Sequence, residues 1–214
     1  MPLERIVVGP LQTNCYVVHC PKSLEAMIVD PGGDAEAILS KVRAAGLKPR
    51  WIVLTHGHPD HTGALSRLRK AFPDALIAAH PADAPLLRSV SSILSLFAGA
   101  SAPSPATPEY LSRKLNDGDV IEVGALRFVV IHTPGHTPGG ICLYRDAAEP
   151  ALFSGDTLFN ESIGRSDLPG GDLEQIIRSI TTRLLTLPDD CVVYPGHGPS
   201  TTIANEKASN PFLT

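Results

Sequence analysis

Thr55-His56-Gly57-His58-Pro59-Asp60-His61 places three imidazoles and a carboxylate within the six residues from His56 to His61. A single histidine at a strand end is ordinarily a hydrogen-bonded structural group. Three of them beside an aspartate are a different matter, because like charges would stack whenever the rings protonate. Imidazole is also the commonest ligand for zinc and iron-type metals. The cluster follows the apolar run Trp51-Ile52-Val53-Leu54, which reads as a buried strand, and precedes a helical pattern from Thr62 to Phe72. Alternation puts His56 and His58 on a common side, while Asp60 and His61 follow the chain into the helix. One short loop therefore addresses two adjacent metal positions.

Three more strand ends deliver donors next to glycine: Thr133-Pro134-Gly135-His136-Thr137-Pro138-Gly139, Ser154-Gly155-Asp156-Thr157, and Pro195-Gly196-His197-Gly198. Glycine lets the backbone turn abruptly and come close to a site, and loops on such scaffolds commonly carry function. Five of the eight histidines fall in these contexts. The other three, His19, His80 and His132, are assigned to structure, and Asp30 in Ile-Val-Asp-Pro-Gly-Gly to a turn or a supporting role.

The elements that must position these loops read as a layered α/β architecture. Strands are expected at Leu3 to Val8, Asn14 to His19, Ala26 to Asp30 and Ala75 to Ala79. An amphipathic helix runs from Asp34, its N-cap, to Ala45, with Gly46 closing it. The helix after the histidine loop is capped by Thr62 and turns Leu65, Leu68 and Phe72 inward. Strands at Val120 to Val123, Leu126 to Ile131, Ile141 to Tyr144, Ala151 to Phe153 and Cys191 to Tyr194 form the second half. A helix from Asp172 to Leu187 has Leu173, Ile176, Ile177, Ile180 and Leu184 on one face. Between the halves, residues 88 to 113 are rich in Ser, Ala and Pro, the composition of a disordered loop or a lid over a site.

Composition narrows the function further. The 214 residues, 43% hydrophobic, are ordinary for a chain that buries a real core, read here as one domain over 1–214. A net charge of −4 provides no basic footprint for nucleic acid. No window approaches the roughly eighteen apolar residues of a membrane span. Cys15, Cys20, Cys142 and Cys191 form no CxxC pair, and three of them lie in or beside apolar strands, so they read as reduced core residues of a cytoplasmic protein. A serine hydrolase is excluded by the lack of a G-x-S-x-G elbow.

HGHPDH, TPGHTPG, SGDT and PGHG, in this order and covering essentially the whole chain, resemble the metallo-β-lactamase superfamily. The resemblance implies a four-layer αββα sandwich with metals at one edge. It makes His56, His58 and His136 ligands of one metal, Asp60, His61 and His197 ligands of a second, and Asp156 the bridge. Two divalent metal ions, zinc first and iron or manganese as alternatives, would be the cofactors. They would lower the pKa of a bridging water from about 15.7 toward about 7, making hydroxide the nucleophile. Asp60, besides ligating, would orient it. Thioester and phosphodiester hydrolases of the superfamily have an aspartate at this place, whereas many of the lactamases do not.

Gly155-Asp156-Thr157-Leu158-Phe159 leading into Gly164-Arg165 is similar to the glyoxalase II, or hydroxyacylglutathione hydrolase, subgroup. There a basic residue at the place of Arg165 contacts the glutathione part of the substrate, which makes Arg165 the candidate substrate-binding residue. In this chain Gly198 and Pro199 follow His197 where the subgroup has an acidic and an aromatic residue, and the subgroup's C-terminal helical domain has no counterpart. The resemblance is therefore to short bacterial glyoxalase II-like proteins. It implies a small-molecule thioester as partner, without nucleic acid or membrane. Gly164-Arg165-Ser166-Asp167 also resembles the sulfur dioxygenase group, in which one iron is held by the counterparts of His56, His136 and Asp156. The alternative it implies is oxidation of glutathione persulfide.

Overall fold

A computed structural model of the chain describes residues 1–87 and 111–213. Strands β1 (Leu3–Val8), β2 (Thr13–His19) and β3 (Glu25–Val29) form an antiparallel meander. Helix α1 (Ala35–Ala44) then returns the chain to β4 (Lys48–Val53), parallel to β3. Two short helices, α2 (Pro59–Thr62) and α3 (Leu65–Ala71), lead to β5 (Leu76–Ala79), parallel to β4, and β6 (Arg113–Lys114) completes a sheet ordered 1-2-3-4-5-6.

The second sheet follows the same plan. Strands β7 (Val120–Val123), β8 (Leu126–His132), β9 (Ile141–Arg145) and β10 (Ala151–Gly155) are antiparallel neighbours. A hairpin of β11 (Leu158–Phe159) and β12 (Ser162–Ile163) and helix α4 (Leu173–Ser179) lead to β13 (Val192–Pro195), parallel to β10. Strand β14 (Thr201–Thr202) is the edge, and helix α5 (Ile203–Ser209) follows it.

Pleating explains why the strands read as continuous apolar runs. Successive side chains of a strand point to opposite faces, and in central strands such as β2 and β10 both faces are covered. On β2, Cys15 and Val17 enter the core beneath α1 and α3, whereas Tyr16 and Val18 enter the core between the sheets. On β10, Phe153 faces the inter-sheet core and Leu152 faces α4 and α5. Three cores between four layers make the αββα sandwich that the sequence led us to expect. The four cysteines are free thiols and buried.

Three expectations need correction. No continuous helix runs from Thr62 to Phe72. The Ala64 N–H donates to Pro31 O at 2.9 Å rather than back to Asp60, so the ladder breaks and Thr62 ends α2 instead of capping α3. Leu173 is 52% exposed at the first turn of α4 and is not part of the inward face. Asp34 holds the N-cap position of α1, but its carboxylate accepts from the Gly9 N–H at 2.8 Å and leaves the helix uncapped. The Asp172–Leu187 helix continues beyond α4 as a π turn, Ile180–Leu184, in which the Leu185 N–H reaches back to Ile180 O. Of the insertion expected at 88 to 113, all but the last three residues lie outside the described residues.

Candidate metal centre

All seven sequence-predicted donors meet at the ends of β4, β8, β10 and β13. His56, His58 and His136 form one cluster of donor atoms, all within 4.8 Å of one another, and Asp60, His61 and His197 form another. Asp156 lies between them. Its Oδ1 is 3.4 Å from His61 Nε2, and its Oδ2 is 3.5 Å from His197 Nε2 and 3.7 Å from His136 Nε2.

Four of the five imidazoles have a polar group against their outward nitrogen, which fixes which atom points inward. His136 donates from Nδ1 to the Arg165 carbonyl at 2.7 Å, and His197 from Nδ1 to the Leu11 carbonyl at 3.1 Å. His61 Nδ1 lies 3.0 Å from Asp30 Oδ2, and Asp30 also accepts from the Thr55 N–H and hydroxyl at 2.7 and 2.6 Å. His56 Nδ1 is 3.2 Å from Thr55 Oγ1. The inward atoms then converge: His136 Nε2 is 3.0 Å from His58 Nδ1 and 3.3 Å from His56 Nε2. Asp30 thus has the supporting role read for it. The Leu11 and Arg165 carbonyls carry no side-chain signature, so sequence reasoning missed both.

This arrangement fits cations. Nitrogen lone pairs directed at each other repel unless a proton or a metal lies between them. Asp156 Oδ1 is buried without a hydrogen-bond partner among the described residues, the kind of acceptor that a protein rarely leaves unmade. Gly196 closes the space behind it, since a Cβ there would sit 2.1 Å from that same oxygen.

The electrostatics differ between the two clusters. Burial, reinforced by the neighbouring rings, pushes His56 well below the usual histidine range, and burial with His136 lowers His58 to about 4. His61 goes the other way: burial opposes its charge, but Asp156 and Asp30 override it and raise it well above the usual range. The hydrogen bond to Asp60 raises His197. Burial would raise Asp60 and Asp156, yet the hydrogen bond from His197 and the charge of His61 hold Asp60 low, and His61 holds Asp156 low.

Protons compete with metal for imidazole, so acidification is expected to empty the two clusters in order. A raised imidazole takes up its proton while a lowered one is still neutral. Any metal at Asp60-His61-His197 should leave first as the pH falls, because His61 and His197 are the raised imidazoles. Any metal at His56-His58-His136 should stay to lower pH, because burial lowers His56 and His58. Metal content per chain across a pH series checks this, and release of both metals at a single pH would refute it.

Arg165 is placed at the site by its backbone. Its side chain is 61% exposed and pairs with Asp167 through two contacts of 2.8 Å. The rings of His80 and His132 stack on each other with centroids 4.0 Å apart, in keeping with a structural assignment.

The family model of the metallo-beta-lactamase superfamily matches residues 8–197, a span that contains every donor. The chain belongs to this superfamily. Among curated members it is 36% identical to the hydroxyacylglutathione hydrolase GloC of Haemophilus influenzae and to the probable metallo-hydrolase YqgX of Bacillus subtilis. Both alignments cover 100% of this chain and 98% of the relative. Solved superfamily structures agree in fold. The B3 metallo-beta-lactamase BLEG-1 is 39% identical with a TM-score of 0.88, covering 100% of both chains. TTHA1623 in a di-iron-bound form is 39% identical with a TM-score of 0.84, covering 98% of this chain and 100% of that one. ETHE1 from Myxococcus xanthus is 29% identical with a TM-score of 0.78, covering 99% and 84%. The chain is thus a metallo-hydrolase superfamily member with a donor set for divalent metal. No helix among the described residues is long and apolar enough to cross a membrane.

Proposed function

We propose that the chain is a dinuclear metal-dependent hydrolase that cleaves a small-molecule thioester such as S-lactoylglutathione. The observation that carries this reading is Asp156, placed between two donor clusters with one oxygen toward His61 and the other toward His197 and His136. His56, His58 and His136 would hold one cation, Asp60, His61 and His197 the other, with zinc first and iron or manganese as alternatives. When bound, the pair supplies Lewis acidity and a water that loses its proton near neutral pH.

The chain's own residues do the rest. Asp60 is kept ionised by His197 and His61, so it accepts a hydrogen bond from the attacking water and directs it. Thr13 steadies that carboxylate by donating to Oδ2 at 3.3 Å. A thiol leaving group with a pKa near 8.5 needs little protonation, in keeping with the absence of a separate acid among the motifs. An open groove of about 330 Å³, lined by Arg5, Leu11, Gln12 and Gly198, leads up to His197 and offers room for the substrate. The resemblance to GloC supports a glutathione thioester.

Arg165 would grip a substrate carboxylate, which must then displace Asp167. Arg165→Ala is expected to raise KM for S-lactoylglutathione about tenfold with kcat little changed, the loss of one charged hydrogen bond. Steady-state kinetics decide this. An unchanged KM would leave Arg165 as a partner of Asp167 alone.

A second reading, a mononuclear-iron dioxygenase acting on glutathione persulfide, is supported by the Gly164-Arg165-Ser166-Asp167 run. Metal content per chain, measured with S-lactoylglutathione turnover, oxygen uptake on glutathione persulfide and hydrolysis of a β-lactam, separates the readings. Two metals with thioester loss and no oxygen uptake are expected. One iron with oxygen uptake alone would install the dioxygenase, and β-lactam turnover alone would overturn both.

A further inference from the structure

Strand β5 ends in a single 3-10 turn, Pro81–Asp83, whose last residue is an aspartate with no exposed surface. Asp83 Oδ2 accepts from the Gly57 N–H and from the Thr137 hydroxyl, both at 2.8 Å, and Oδ1 accepts from the Gly139 N–H at 2.6 Å. Gly57 stands between His56 and His58. Thr137 and Gly139 follow His136. One carboxylate thus ties the loop that ends β4 to the loop that follows β8, and these two loops carry all three donors of the first cluster.

The packing is as tight as the bonding. A Cβ on Gly139 would lie 2.6 Å from Asp83 Cγ and Oδ1, and one on Gly57 would lie 3.3 Å from Asp83 Cβ. The same strand end grips the His136 loop a second time. His80 stacks on His132 at 4.0 Å and 9°, and His132 donates from Nε2 to Pro138 O at 3.0 Å. Burying a carboxylate costs free energy unless its oxygens are satisfied, and here both oxygens are spent on the two loops.

The second cluster has separate supports. Asp30 faces His61, the Leu11 carbonyl holds His197, and Thr13 holds Asp60. None of these touches Asp83.

We infer that Asp83 is a positioning residue that sets the separation of the His56-Gly57-His58 and His136 loops and thereby the metal affinity of the first cluster, independently of the second. This rests on the two-cluster reading of the metal centre. Partners of this kind outside the ligand set typically change metal affinity by about 10–100-fold.

The test is chelator competition with zinc in two backgrounds. His197→Ala leaves the first cluster complete, and His58→Ala leaves the second. Adding Asp83→Ala should weaken the zinc held in the His197→Ala protein by about 10–100-fold and leave the zinc held in the His58→Ala protein unchanged. Thr137→Val removes one of the three bonds at nearly constant volume and should weaken the first cluster by a smaller factor, which decides the matter if Asp83→Ala does not fold. Equal weakening in both backgrounds, with a lower melting temperature of the metal-free protein, would make Asp83 merely structural and overturn the inference, as would no weakening at all. If the unmutated chain holds a single metal, the dinuclear reading falls, while the pair of measurements in the His197→Ala background still decides Asp83.

Discussion

Asp156→Asn is expected to cost the centre at least one metal and nearly all turnover. The aspartate contributes both oxygens and its charge, with three imidazole nitrogens of both clusters within 3.7 Å. An amide keeps the shape but removes one acceptor and the charge, and its NH₂ must face one cluster or the other. Loss of an indirect support already costs about 10–100-fold in metal affinity, so loss of a shared donor should exceed about 100-fold, with kcat/KM falling at least about a thousandfold. Metal content after dialysis and initial rates on S-lactoylglutathione check both parts. Two retained metals with an undiminished rate would remove Asp156 from its bridging place.

Gly196→Ala should damage the same centre from the backbone. The added methyl would meet Asp156 Oδ1 at 2.1 Å and His61 Cε1 at 2.8 Å. Retreat is blocked, because the Gly196 N–H is bonded to Gly155 O at 2.8 Å and its carbonyl accepts the Asn14 N–H at 2.7 Å. Overpacking of this kind costs about 1–3 kcal/mol, so the metal-free protein should melt lower and bind metal poorly. Gly198→Ala is the control. Gly198 has φ +74 with nothing within 4 Å of a Cβ, so it should cost about 1–2 kcal/mol of backbone strain while metal stoichiometry is retained. If Gly196→Ala bound metal as tightly as the control, the close approach would be without consequence.

The sequence revealed the histidines and aspartates that cluster in space because their signals are local. Histidine density, Gly and Pro punctuation and a preceding apolar run all fall within a few residues of one another, and every donor from His56 to His197 was readable on those terms. Strand positions were readable for the same reason, since both faces of β2, of β10 and of the end of β4 are buried and leave apolar runs. What was missed acts over distance or through the backbone. The helix after His61 breaks because Ala64 bonds to Pro31, some thirty residues earlier, and no periodicity encodes that. Leu173 matches the apolar face of its helix by spacing, yet it occupies the first turn, beyond the reach of the core. Asp83 shows nothing in its neighbourhood to set it apart from any aspartate after a Pro-initiated turn. Its meaning comes from residues 26, 54 and 56 positions away.

The separation between His61 and His197, 136 residues apart in the chain and 3.3 Å apart in space, also governs when the centre can exist. A ribosome adding about 5–20 residues per second finishes the His56 to His61 loop roughly seven to twenty-seven seconds before it makes His197. Throughout that interval Asp60 and His61 lack their third partner, His197. A centre that uses both clusters would therefore be complete only once both halves of the chain have been made and have found each other.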